Sequence, residues 1–135
     1  MANLADYKGE INAPSKVKKE RLEIEYDFAN DGGAVGVLNV ATAQEKIIIE
    51  RCYFKVNTAF TTGASGTLQA GVVGGDTDAL IAVTAAASLT ADAVIDEDSA
   101  GRNLVVDAAE VIALEIVTGA MTAGKGVLVI EYSQF

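Results

Sequence analysis

The sequence predicts an all-β fold: an antiparallel, jelly-roll-like β-sandwich of seven to nine strands with at most one short helix. Three observations predict it. Apolar and polar residues alternate with period two in several separate short runs. Glycine-rich turns divide those runs, and no stretch keeps a long 3.6-residue apolar period. The 135 residues suit one domain. A domain of that size buries roughly two thirds of its unfolded surface and needs no disulfide or metal staple.

Residues 1–19 read as an extended arm and residues 20–135 as a single sandwich domain. The arm has no clean period and holds the only proline, Pro14. In Leu22–Phe28 the apolar Leu22, Ile24, Tyr26 and Phe28 share one face, and Glu23, Glu25 and Asp27 share the other. Asn30–Gly33 is a turn rich in residues that accept positive φ. Ala34–Val40 is a strand weakened by Gly36. Lys46–Val56 is apolar on both faces, with Ile48, Cys52, Phe54 and Val56 on one side and Ile47, Ile49 and Tyr53 on the other. A strand of that kind is covered on both sides, so Ile47, Ile49 and Tyr53 are expected to face a second layer or a second copy of the chain.

Thr67–Val73 resumes strand alternation after the small-residue loop Thr61–Gly66. The run Ala79–Leu89 is ambiguous: its alanines favour a one- or two-turn helix, whereas Val83 and Thr84 favour a strand. Asn103–Asp107, Glu110–Val117 and Gly126–Tyr132 complete the strands. The expected interior is Leu22, Ile24, Tyr26, Ile48, Phe54, Leu68, Ile112, Leu114, Leu128 and Ile130. Thr62–Gly66 and Thr118–Gly124 share a Thr-Gly-Ala opening, as two similar loops at one end of a sandwich would.

Composition narrows the chemistry. Histidine is absent, which removes the commonest general base and the commonest metal ligand. A single cysteine, Cys52, excludes an internal disulfide and a cysteine-based zinc site. Gly119–Gly126 matches a phosphate-binding loop through Lys125, but Gly126 stands where Ser or Thr must hold magnesium, and a β-patterned run follows instead of a helix. Asp96–Gly101 opens like a calcium loop, yet Ala100 offers no ligand and Asp107 stands where a bidentate glutamate is required. With eight aromatics and no tryptophan, the paired carboxylates among Glu50, Glu115 and Glu131 lack the platforms of a sugar cleft. No enzyme activity, no cofactor and no metal are expected.

The net charge of −9 is uneven. Up to Lys55 eight basic residues nearly balance nine acidic ones; beyond it Arg102 and Lys125 face ten acids. Such a body repels nucleic acid. No apolar run reaches the roughly 18 residues of a membrane span, and the first residues lack the pattern of a signal peptide, so synthesis in the cytoplasm is expected. The cations concentrate in Lys16, Lys18, Lys19 and Arg21 beside the arm. With Leu4, Tyr7 and Ile11 they form the expected partner-binding segment, in which apolar anchors hold and charges steer.

Three segments carry a family resemblance: Phe54–Phe60 with its following Thr/Gly loop, Gly71–Gly75, and the closing Thr118–Tyr132. Together with the low aromatic content they resemble small structural proteins of tailed bacteriophages, of the head decoration and accessory virion type. The resemblance spans roughly residues 47–132 and brings no site motif. It implies a virion protein that binds the outside of a capsid shell as an oligomer, with a trimer as the leading number and other virion proteins as partners. Two other readings fit the same residues: a phage tail, adaptor or fibre domain, and a carbohydrate- or receptor-binding sandwich. The latter would expose Tyr7, Tyr53 or Phe60 beside a groove.

Overall fold

A computed structural model describes residues 19–97 and 103–134. Nine strands form among the described residues: β1 (Lys19–Asp27), β2 (Gly36–Thr42), β3 (Ile47–Thr62), β4 (Thr67–Val72), β5 (Ile81–Ala85), β6 (Val94–Asp96), β7 (Leu104–Val106), β8 (Val111–Val117) and β9 (Met121–Gln134). One sheet runs β1-β9-β3, with both β6 and β7 on the far edge of β3; the other runs β2-β8-β4-β5. Every pairing is antiparallel. The first strand lies beside the last and the second beside the last but one, so the order is nested. The alternation expected from the sequence thus produces an all-β sandwich, with its core between the two inner faces.

Among the described residues helix is confined to a single turn at Phe28–Asp31 and a 3-10 turn at Ala86–Ser88. The first is capped by the Asp27 carboxylate, which accepts from the Ala29 amide. Gly32 ends it at φ +73°, and the Tyr26 hydroxyl donates to the Gly32 carbonyl at 2.6 Å. The ambiguous run Ala79–Leu89 divides: only Ala86–Ser88 turns helically, in that single 3-10 turn. Ile81–Ala85 pairs with β4 instead, because that pairing takes Leu80 and Ile81 out of water.

The expected interior is found with two departures: Leu22 is half-buried, and Ile48 lies on the outer face. The cause of the second is a bulge in β3. Ile49 stands opposite Tyr132 and Arg51 opposite Glu131, so Glu50 is an extra residue. The inserted residue reverses the inside–outside phase. Ile47 and Ile49 join Cys52, Phe54 and Val56 in the core, while Ile48 turns outward.

The closing hairpin also departs from expectation. The expected loop Thr118–Gly124 shrinks to a turn at Thr118–Ala120, and β9 starts at Met121, so Gly124 and Lys125 join Gly126 in the strand. The two glycines let β9 cross aromatic rings. A Cβ on Gly124 would come within 2.6 Å of the Phe60 ring, and one on Gly126 would press into the edge of the Phe54 ring. Phe60 in turn stacks on Tyr26 at 5.4 Å and meets Phe54 edge-on at 5.8 Å. The two Thr-Gly-Ala loops interlock: Thr62 Oγ1 donates to the Ala120 carbonyl at 2.6 Å, and Gly119 abuts the backbone of Ala64.

Candidate functional site

Five segments meet at the end of the sandwich where β1 begins. Glu20 and Leu22 come from β1, Ala41–Glu45 from the end of β2 and its loop, Ile47 from the start of β3, Ile112 from β8, and Tyr132 and Gln134 from the end of β9. They enclose an apolar groove of about 250 Å³ between the edges of the two sheets. The carboxylates of Glu20 and Glu45 are the charged groups of its lining. The Tyr132 hydroxyl donates to Glu20 at 2.8 Å. That hydrogen bond to the carboxylate, with burial second, holds the phenol above its usual pKa.

Beside the groove, on the outer face, Lys19 Nζ lies 3.6 Å from Glu50, and Ser133 Oγ hydrogen-bonds the same carboxylate. The bulge that displaces Ile48 therefore also sets Glu50 against β1 and β9. Arg21 pairs with Glu23 at 3.2 Å, both half-exposed. On the neighbouring rows the Arg51 guanidinium sits 5.0 Å over the Tyr53 ring.

Of the expected partner-binding residues, Lys19 and Arg21 are exposed on β1, whose other edge carries no strand among the described residues. Leu4, Tyr7, Ile11, Lys16 and Lys18 lie outside the described residues. The expected self-association face needs correction. Ile47 is 7% exposed and Ile49 fully buried, both against the chain's own second sheet, so only Tyr53 remains on an outer face. Phe60 is likewise buried, which removes it as an exposed sugar platform.

Reactive chemistry finds little support. Cys52 is fully buried, and burial, aided by Glu97, pushes its thiol up to about 12. Gln69 donates to Glu115 at 2.9 Å and to Thr77 at 3.2 Å, which satisfies a buried amide. Among the described residues no three acidic or cysteine side chains gather as a metal site. No helix there is long and apolar enough to cross a membrane.

The groove had no sequence signal, because its walls come from segments far apart in the chain. The exposed valines were equally silent: Val35, Val37 and Val40 flank and occupy the edge strand β2, and Val73 follows β4.

No protein-family model matches the chain, and no curated protein matches it in sequence. Its fold does match solved structures. A chain of the Ralstonia phage GP4 capsid aligns with a TM-score of 0.58 at 17% identity, over 92% of this chain and 88% of that one. A chain from the acid-stable capsid structure of the Helicobacter pylori bacteriophage KHP30 gives 0.57 at 14%, over 87% and 92%. A chain of the cyanophage Pam1 capsid asymmetric unit gives 0.52 at 14%, over 91% and 91%. At these identities the likeness defines a shared fold.

Proposed function

We propose that this chain is a structural protein of a bacteriophage virion, acting as a decoration protein that binds the outside of the capsid shell as an oligomer. The observation that carries this reading is whole-chain likeness to chains from three phage capsids, each covered over 88% or more of its own length. The match is to small chains as units and not to a module cut from larger ones.

Physical features support an external position. A net charge of −9 disfavours packing against DNA and suits a solvent-facing surface. The nested strand order supports reading the sandwich as a jelly roll, a fold of viral capsid domains. The arm supplies the shell contacts: Leu4, Tyr7 and Ile11 as anchors, and Lys16, Lys18, Lys19 and Arg21 for electrostatic steering. With Ile47 and Ile49 inside the core, association between copies falls to exposed apolar residues such as Val35, Val37, Val40 and Val73, with a trimer as the expected number.

Quantitative mass spectrometry of gradient-purified particles tests the reading. A decoration protein is present in copies comparable with the shell subunit. A handful of copies per particle would move it to the tail, and its absence would reject the virion assignment.

A further inference from the structure

We propose that the groove at the start of β1 is the docking site for this protein's own amino-terminal arm, with Ile11 seated against Leu22, Ala43, Ile47 and Tyr132. Reach, volume and charge agree on that occupant.

The described chain begins at Lys19, and Glu20 and Leu22, one and three residues further on, already line the groove. The arm is therefore tethered at the groove's mouth. Ile11 precedes Lys19 by eight residues, which span at most roughly 26–29 Å when extended. Asn12, Pro14 and Ser15 lie between them, residue types that reverse a chain. Eight residues that include such types are long enough to bring Ile11 to the groove. A tether this short gives an effective concentration on the order of millimolar, far above that of a second copy in dilute solution.

The groove, at about 250 Å³, exceeds the roughly 150 Å³ of an apolar cavity that holds benzene, so a branched aliphatic side chain with its backbone fits. Its walls are aliphatic and aromatic, while its charged lining residues, Glu20 and Glu45, are both acidic. The first eighteen residues carry Lys8, Lys16 and Lys18 against Asp6 and Glu10. A segment with apolar anchors and surplus positive charge thus lies next to an apolar groove with an acidic rim. Docking would also cover the half-buried Leu22 and Tyr132 at the open end of the core.

The arm is then held by its own domain before assembly, and shell binding must displace it. The docking does not depend on the virion reading, and its failure would leave that reading intact.

The test is a cysteine pair, Ile11→Cys with Ala43→Cys, in the full-length protein. Cys52 can stay, since its thiol is buried. Mild oxidation of dilute protein is followed by non-reducing electrophoresis and peptide mapping. The expected result is a link between positions 11 and 43 within one chain, formed in most molecules. A control pair, Ile11→Cys with Val83→Cys on the exposed face of β5, should link at least tenfold less. Equal linking of both pairs, no link between 11 and 43, or a link found only between two chains would each overturn the proposal. An unchanged melting curve for the reduced variants establishes that the fold is intact.

Discussion

Gly126→Ala should destabilise the domain by crowding an aromatic ring and not by loss of backbone freedom. Gly126 lies within β9, opposite Tyr26 on one side and Val56 on the other. Its φ is not in the left-handed region, so alanine is acceptable to the backbone. The new methyl, however, would press into the edge of the Phe54 ring and stand 2.8 Å from the Lys55 carbonyl oxygen. Phe54 is fully buried and touches Phe60, so its ring can yield only by moving the cluster. Overpacking of this kind costs about 2 kcal/mol. For a chain of this length that corresponds to a melting temperature lower by roughly 6–10 °C. Phe54→Leu shortens the ring and should cost about 1–2 kcal/mol alone. In the double variant the methyl gains room, so the two costs should fall short of additivity by about 1 kcal/mol. The contact with the Lys55 carbonyl persists, which keeps the rescue partial. Thermal and urea melts followed by circular dichroism measure all four corners of the cycle. A Gly126→Ala protein melting within about 1 °C of the parent, or strictly additive losses, would mean that the Phe54 ring does not crowd this position.

The bulge at Glu50 makes Ile49→Ala cost about 3 kcal/mol and Ile48→Ala less than about 1 kcal/mol in urea melts; the reverse order would restore simple alternation. Tyr26→Phe removes the hydroxyl that holds Gly32, and the same melts should show a loss of about 1 kcal/mol. The Cys52 thiol should resist a thiol reagent at pH 8 in native protein and react at once in denaturant; prompt native labelling would contradict its burial. Cys52 moves from its usual 9.0 to about 12, and Tyr26 from 10.0 to about 12, chiefly through burial. Folded protein thus retains protons that the unfolded chain loses, so stability is full below pH 9 and should fall between pH 9 and 12. Melting temperatures that stay level across that window would contradict both shifts.

Much of the fold was legible because alternation is a local signal. Leu22–Asp27 and Val111–Val117 each lie in a strand, with Ile24, Tyr26, Ile112, Leu114 and Ile116 buried as the alternation requires, while Phe28 opens a helical turn. What was not legible depended on contacts between distant segments. Nothing in Lys46–Val56 announces an extra residue, because the bulge is defined by its partner strand, where Tyr132 and Glu131 are adjacent. Strict alternation then misplaces Ile47, Ile48 and Ile49 together. The alanine-rich run before Leu89 has helical propensity, and only the free edge of β4 converts Ile81–Ala85 to strand. Gly124 looked like a loop residue and Gly126 like the first residue of a strand, until the rings beneath them gave another reason for glycine. The groove was invisible for the same reason, since its walls join residues up to 114 positions apart, from Glu20 to Gln134.

An external position for this sandwich on the capsid can be seen by cryo-electron microscopy of the intact particle. Density for the two sheets is expected on the outer surface of the shell, repeated at equivalent lattice positions, with the acidic faces toward solvent and the start of β1 toward the shell. A particle whose outer surface lacks that density at every lattice position would contradict it.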